Sequence, residues 1–130
     1  RCPASPYVGL EHLDSGSPLL LRWGSASEVS STKAVFRKGD VLFGKLRPNL
    51  KKSVLADFDG VCSTDILVLK PSARTDAAFL SLLTHFAPFT EHAVRSIGGV
   101  NLPRTSWTAL REFSVALPPL PEQRAIAATL

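Results

Sequence analysis

The sequence predicts a mixed α/β fold of the α+β type, a single domain with a mixed sheet and short helices that leads into a C-terminal helix. A length of 130 residues with 45% hydrophobic content suits one domain with one core. Short β-rich runs separated by turn residues fill the first half of the chain, up to Pro71. Beyond Thr75 the apolar residues change to a helical period.

The predicted strands are bounded by turn and breaker residues. Residues 14–18 are rich in turn formers, and Lys38, Gly39 and Asp40 turn the chain into the next apolar run. Pro71 closes the last strand, because proline cannot donate to a β-ladder. The segments predicted to be extended and sheet-like are residues 6–10, 19–23, 41–43, 60–63 and 66–69.

Two short helices are predicted next. Four apolar residues between Phe79 and Phe86 recur at i, i+3, i+4 and i+7, and Asp76 stands in front of them where it can cap a helix. Pro88 is expected to end or kink that helix. A second helix over residues 89–97 is expected to stop at the pair Gly98-Gly99, which is typical helix C-terminal chemistry.

The last part of the chain holds a polar loop, a strand and the beginning of another helix. Residues 100–106 are predicted to be the loop and residues 113–117 the final strand. Pro121 suits the first turn of the helix, and Glu122 favours its positive end. Ile126 and Leu130 begin an apolar stripe without an end signal, so we expect a longer helix that is cut short.

The charge of the chain is concentrated in one segment, residues 33–52. This segment carries seven Lys or Arg residues against one acid, Asp40, whereas the rest of the chain has eight bases and ten acids. A local basic surface on a near-neutral body is typical of a polyanion binder. The alternative interpretation is a solvated, solubilising face.

Residues 45–52 supply two kinds of nucleic-acid contact directly after a predicted strand, a common place for binding groups. Arg47 can bond to guanine and Asn49 to adenine in the major groove. The lysines of the loop can neutralise phosphates. These lysines are Lys45, Lys51 and Lys52.

A second polar group surrounds Gly98-Gly99. Glycine turns allow close approach to a backbone, and Arg, Asn, Thr and Ser all have base or phosphate pairings. The structural alternatives are that Arg95 favours the C-terminal end of its helix and that Trp107 lies in the core, which we expect for Trp107. The candidate binding residues of this group are Arg95, Asn101, Arg104, Thr105 and Ser106.

Signatures of catalysis and of metal sites are weak. The histidines, His12, His85 and His92, lie far apart and beside no nucleophile motif, so we expect structural roles. The two cysteines, Cys2 and Cys62, have no metal or redox spacing. No apolar run is long enough to span a membrane and no secretory signal precedes the fold, so we expect a soluble cytoplasmic protein.

A metal-dependent nuclease is the remaining catalytic alternative. It would use three acids that lie close in sequence, Asp57, Asp59 and Asp65, together with Lys70. A straight strand places Asp65 and Lys70 on opposite faces, because they are five residues apart. We therefore expect no catalytic residue and no bound metal in this chain.

Four blocks in order resemble the DNA-specificity (S) subunit of type I restriction-modification enzymes. Single blocks of this kind have little specificity, but four in order with compatible spacing are fairly specific. The resemblance covers the chain from Tyr7 to its end. The blocks are YVGLEHL at residues 7–13, KGDVLFGKLRPNL at 38–50, VCSTDILVL at 61–69 and LPPLPEQ at 117–123.

The resemblance implies a fold and a function. In this family a target recognition domain of mixed α/β structure reads one half of a split double-stranded DNA site, and a long spacer helix follows it. Two such helices pack antiparallel and set the half-site spacing. The S subunit is not catalytic; it recruits methyltransferase (M) subunits that use S-adenosylmethionine and restriction (R) subunits that use ATP and magnesium, so no cofactor is implied for this chain.

The resemblance also implies a division of the chain and roles for its residues. Residues 1–119 resemble a target recognition domain without its N-terminal part, and residues 120–130 resemble the start of the spacer helix, through which self-association is possible in principle. By residue chemistry, Lys45, Lys51 and Lys52 are predicted to contact phosphates. Base edges are assigned to Arg47, Asn49, Asn101 and Arg104. A further alternative is a protein-interaction module that works through its helix.

Overall fold

The structure is a computed structural model that describes residues 5–26, 33–97, 105–110 and 117–129. Several predicted features fall outside these residues. They are the helix stop at Gly98-Gly99, most of the polar loop at 100–106 with Asn101 and Arg104, nearly all of the strand at 113–117, and Leu130. Within the described part of the chain, no helix is long and apolar enough to cross a membrane.

The described strands form two sheets. The first sheet has the order β2-β1-β6-β3, in which β1 and β6 are parallel and the other neighbours are antiparallel. The second sheet has the order β5-β4-β7 and is antiparallel. The strands are β1 (Pro6–Val8), β2 (Gly24–Ser25), β3 (Lys33–Phe36), β4 (Val41–Gly44), β5 (Ser53–Leu55), β6 (Gly60–Ser63) and β7 (Ile66–Leu69).

Short helices follow the strands in the chain, which confirms the predicted mixed fold. Two 3-10 helices, Leu10–His12 and Pro48–Leu50, lie between strands. The α-helices are α1 (Ala77–Leu83), α2 (Ala87–Arg95), α3 (Trp107–Leu110) and α4 (Leu120–Thr129). Helix α1 packs against α4, and α2 packs against α3.

Strand β4 is the centre of the structure. All four of its residues are buried, because β5 and β7 flank it and apolar clusters cover both of its faces. Side chains alternate along a strand, so Leu42 joins the cluster between the two sheets, whereas Val41 and Phe43 join the cluster that contains Phe89 of α2. The layers are therefore the first sheet, the second sheet and the helices α1, α2 and α3.

Four of the predicted strands and one predicted cap are confirmed. Strand β1 ends at Val8 rather than at residue 10, and β4 covers residues 41–43 and extends to Gly44. Strands β6 and β7 have the predicted bounds. The carboxylate of Asp76 accepts a hydrogen bond from the backbone N–H of Phe79 at 3.1 Å, so Asp76 caps α1 as its position indicated.

The prediction of an extended, sheet-like segment over residues 19–23 is wrong. These residues form no strand, and Leu19 and Leu21 are 61% and 65% exposed. Strand β1 is only three residues long, and its pairing with this part of the chain reaches no further than Tyr7 opposite Gly24. Residues 19–23 therefore have no strand beside them. In this part of the chain, only Gly24 and Ser25, which form β2, pair with β1.

Pro88 begins a helix instead of ending one. Helix α1 stops at Leu83, and Phe86 is the N-cap of α2, which has Pro88 in its first turn. The first turn of a helix tolerates proline, since the N–H groups there have no intrahelical partner. The second helix consequently spans Ala87–Arg95 rather than residues 89–97.

The sequence analysis missed strands β3 and β5, which belong to the basic segment and its continuation. Strand β3 is an edge strand that pairs with β6 alone, and its Val35 is 56% exposed. Basic residues at an edge strand protect it against pairing with other chains. The sequence of β3, KAVF, has three adjacent apolar residues, and β5 is only three residues long, so neither strand shows the alternation that identifies a strand in the sequence.

The side chain of Gln123 fixes the start of α4 to the rest of the domain. It is fully buried, and its Oε1 accepts a hydrogen bond from the N–H of Asp76 at 2.7 Å. Its Nε2 donates to the carbonyl groups of Arg74 and Pro118, both at 2.9 Å. One side chain therefore joins α4 to the N-terminal end of α1 and to the chain segment in front of α4.

We expect Gln123→Leu to lower the free energy of unfolding by about 1–3 kcal/mol, because a buried N–H loses its acceptor while the side-chain volume stays similar. Urea denaturation measures the change. Arg124→Leu is the matched control on the same helix turn, since Arg124 is exposed and lies 3.8 Å from the Asp76 carboxylate. It should change stability by less than about 1 kcal/mol. Equal effects of the two variants would contradict the anchoring role of Gln123.

Cys62 is a buried free thiol in the cluster between the sheets, and burial raises its pKa to about 11. Because the thiolate is the reactive form, its fraction at pH 8 is on the order of 0.1%. We expect a Cys2→Ser variant to resist labelling by a disulfide reagent at pH 8 when folded. It should be labelled at once after unfolding in guanidinium chloride. Equal labelling rates for the folded and unfolded protein would disagree with the packing around Cys62.

Candidate nucleic-acid interface

The basic loop, residues 45–52, begins where the buried strand β4 ends and returns to the same point. The N–H of Gly44 donates to the carbonyl of Lys52 at 2.8 Å, and the N–H of Lys45 donates to the carbonyl of Asp65 at 2.9 Å. A Cβ on Gly44 would lie 3.0 Å from Leu10 Cδ2 and 3.2 Å from the Lys52 carbonyl oxygen. Glycine therefore permits the close approach that closes the loop at its base.

A 3-10 helix, Pro48–Leu50, forms the tip of the basic loop. Arg47 before it and Lys51 after it both have left-handed backbone conformations, with φ of 52° and 54°. Residues with a Cβ adopt this conformation rarely and at a cost. The burial of Pro48 and the short bond from the N–H of Lys51 to the Pro48 carbonyl, 3.1 Å, hold the turn in place.

The structure brings the described part of the second polar group against this loop. The N–H of Thr105 donates to the carbonyl of Lys45 at 2.9 Å, and the hydroxyl groups of Thr105 and Ser96 are 2.9 Å apart. Ser96 follows Arg95 directly, and α2 packs against the 3-10 helix of the loop. Two segments that are far apart in the sequence thus form one surface.

The predicted binding residues differ in their exposure on this surface. Arg47, Asn49, Arg95 and Ser106 are exposed, whereas the lysines are half-buried. Thr105 is only 4% exposed and its hydroxyl bonds to Ser96, so we assign it to holding the two segments together rather than to reaching a ligand. The half-buried lysines are Lys45, Lys51 and Lys52.

The positive charge of this surface is largely uncompensated. Among the residues that the structure describes, Lys45, Arg47, Lys51 and Arg95 form no ion pair. Asp40, the one acid of the basic segment, lies at the opposite end of β4 and is paired with Lys70 Nζ at 2.7 Å. The cations beside the loop are therefore available for an anionic ligand.

Two residues of the catalytic alternative, Asp59 and Lys70, and two of the histidines have structural partners. Asp59 accepts a hydrogen bond from the N–H of Lys38 at 2.8 Å, and Lys70 is paired with Asp40. His12 Nδ1 accepts from the N–H of Gly9 at 2.9 Å, and His85 Nε2 lies 2.8 Å from the carbonyl oxygen of Ser53. Over residues 5–26, 33–97, 105–110 and 117–129, no group of three or more His, Cys, Asp or Glu side chains could hold a metal ion.

The prediction that Trp107 lies in the core is wrong. Its side chain is 56% exposed, and the core position of the four-residue helix α3 is taken by Leu110. The cluster that Leu110 joins is already filled by Phe43 and Phe89, whose rings meet edge to face at 5.7 Å. Sequence reasoning assigned Trp107 by its residue type, and no pattern of neighbouring positions indicated its exposure.

Comparison with known proteins gives relatives of one kind. The chain is 37% identical over 126 residues to the type I restriction enzyme EcoDI specificity subunit of Escherichia coli, a match that covers 95% of this chain and 28% of that protein. It also superposes on the crystal structure of the HsdS subunit from Thermoanaerobacter tengcongensis with a TM-score of 0.84 at 28% identity.

A second solved structure, described as the structural basis of complex assembly and conformational transition of the type I R-M system, matches equally well, with a TM-score of 0.84. Each of these two matches covers 98% of this chain and 35% of the solved chain. The chain therefore spans about a third of the length of these relatives. The type I restriction modification DNA specificity domain family matches residues 6–130, and the chain belongs to this family.

Proposed function

We propose that this chain reads one half of a bipartite double-stranded DNA site, as part of the non-catalytic specificity subunit of a type I restriction-modification complex. The observation that supports it most is the hydrogen bond between Thr105 and Lys45, which joins two polar segments into one surface with unpaired cations. A family whose description names DNA specificity supplies the class of ligand.

The loop chemistry suggests a division of labour on the DNA. Arg47 and Asn49 stand exposed at the tip of the basic loop, where a guanidinium and an amide can bond to base edges. The half-buried lysines suit the phosphates that position a protein on the duplex. Asn101 and Arg104, which precede Thr105 in the chain, are proposed as further base-reading residues.

The backbone of the loop supports recognition because it is fixed before DNA binds. Left-handed residues at both ends of the 3-10 helix and the closing bond from Gly44 to Lys52 restrict the loop to one shape. A binding group that is already ordered loses less conformational entropy in the complex. The free energy cost of the strained backbone is thus offset when the protein folds, by the burial of β4 and Pro48, and does not arise when DNA binds.

Helix α4 is proposed to carry the connection to the other subunits. Gln123 fixes its direction relative to the domain, and Ile126 is 36% exposed on it. We propose that residues 1–119 form the recognition domain and residues 120–130 begin the spacer helix, which is also the proposed surface for self-association. The chemistry of methylation and cleavage, with S-adenosylmethionine, ATP and magnesium, belongs in this proposal to the M and R subunits in the cytoplasm.

The competing function is a protein-interaction module whose basic face is merely solvated. It shares the exposed α4 with the main proposal but assigns no ligand to the basic loop. The two functions differ in what charge removal does. If the chain reads DNA, loss of a loop cation weakens DNA binding. If the chain is a protein-interaction module, loss of a loop cation changes no interaction.

We expect Lys51→Ala to weaken binding to all duplexes alike and to reduce the slope of log K against log salt by about 0.9, because one phosphate contact is lost.

Arg47→Ala should weaken binding to a selected sequence by about 1–3 kcal/mol and relax specificity at one base pair. Fluorescence anisotropy measures the affinity of both variants. It uses labelled duplexes that the complete subunit has selected from a random-sequence library.

Lys38→Ala is the matched control for this experiment. Lys38 belongs to the same basic segment but is exposed at the end of β4 opposite to the basic loop. Its removal should leave affinity and salt slope nearly unchanged. Equal losses for Lys38→Ala and Lys51→Ala would assign binding to net charge alone, and absence of DNA binding by the complete subunit would favour the protein-interaction module.

A further inference from the structure

Trp107 is a large aromatic residue whose exposure the fold does not explain. Its side chain is 56% exposed at the start of α3, while Leu110 at the other end of that helix is buried. The second tryptophan, Trp23, is 49% exposed, but its ring lies on Phe58 with a centroid distance of 4.7 Å. Among the described residues, Trp107 has neither a ring contact nor a hydrogen-bond partner for its indole N–H.

The position of Trp107 is tied to the basic loop through Thr105. Thr105 bonds to the Lys45 carbonyl through its N–H and to Ser96 through its hydroxyl. Two residues of extended chain span at most about 7 Å, so Trp107 cannot lie far from these contacts. Trp107 therefore lies beside the segment that docks on the carbonyl of Lys45 and bonds to Ser96, the neighbour of Arg95, and its exposed side chain belongs to this part of the domain.

An exposed indole among unpaired cations suits one ligand class in particular. A protein partner that covered Trp107 would also have to neutralise or desolvate Lys45 and Arg95, which costs free energy unless acids meet them. Duplex DNA presents phosphates to the cations and, within a few ångström, deoxyriboses and base edges such as the thymine methyl group to the ring. The flat face of a base becomes accessible where an apolar side chain partly unstacks a base step.

We propose that Trp107 is a DNA contact that acts through its ring: it packs against a base or a deoxyribose of the duplex held by the basic loop. This inference rests on the proposed function and adds an aromatic contact to the charged and amide groups of this surface. Apolar side chains placed in this way can also wedge between base pairs and bend the duplex. The contact is not ionic, so it differs from those of the lysines in its dependence on salt.

Fluorescence tests the contact directly in a variant of the complete subunit in which Trp107 is kept, while Trp23 and any tryptophan outside these 130 residues are replaced by Phe. We expect the emission of Trp107 to be quenched when the complete subunit binds an unlabelled selected duplex, with the same midpoint as the anisotropy of a labelled one. Trp23→Phe itself should bind DNA with unchanged affinity, because Trp23 packs on Phe58.

Affinity supplies the second readout. Trp107→Ala should weaken DNA binding at least about fivefold with an unchanged salt slope, whereas Trp107→Phe should keep most of the affinity. Thermal unfolding shows whether Trp107→Ala folds. If it does not, Trp107→Leu replaces it, because leucine keeps an apolar side chain but has no ring. The same loss of affinity is then expected for Trp107→Leu. Wild-type affinity of the variant without the ring overturns the inference, whatever the fluorescence does, and leaves the proposed DNA binding intact.

Two further outcomes separate the inference from its foundation. If loss of the ring weakens assembly with another subunit but not DNA binding, Trp107 is a protein contact and the inference is overturned. If the parent protein itself fails to bind any duplex in the anisotropy measurement, the proposed function fails, and the inference about Trp107 fails with it.

Discussion

The burial of β4 on both faces is the constraint on which the rest of the structure depends. Leu42 points into the cluster shared by the two sheets, while Val41 and Phe43 point into the cluster closed by α2 and α3. Each such side chain contributes about 1.5–3 kcal/mol when fully buried. Because the strand cannot shift by one residue without exchanging these faces, the point at which the basic loop leaves it is fixed.

The proposed DNA surface follows from that fixed point. The basic loop closes through Gly44 and Lys52, and the segment at Thr105 docks on the carbonyl of Lys45, so both segments are positioned by the end of one strand. Asp40 at the other end of the strand is paired with Lys70, which leaves the excess positive charge on the side of the loop.

Sequence reasoning succeeded where the signal is local. The β6–β7 pair is bounded by turn residues, and the Asp76 cap depends on a residue three positions away. It failed where tertiary contacts decide. Residues 19–23 are apolar but lack a neighbouring strand, and Trp107 is exposed although its residue type indicated the core. The meeting of Thr105 with Lys45 is a long-range contact that no local pattern indicates. The resemblance marked residues 117–123 as a block, and the structure explains its glutamine through the buried hydrogen bonds of Gln123.

Two distant segments are proposed to form one DNA-binding surface at the end of β4. The most direct measurement is the change in backbone amide chemical shifts, by NMR, when the protein is titrated with a duplex that it selects. The account predicts that amides of residues 45–52 and 105–107 shift together with one affinity, while those of Lys38 and Gly39 at the opposite end of β4 do not. Shifts in only one of the two segments, or shifts centred on Lys38, would contradict it.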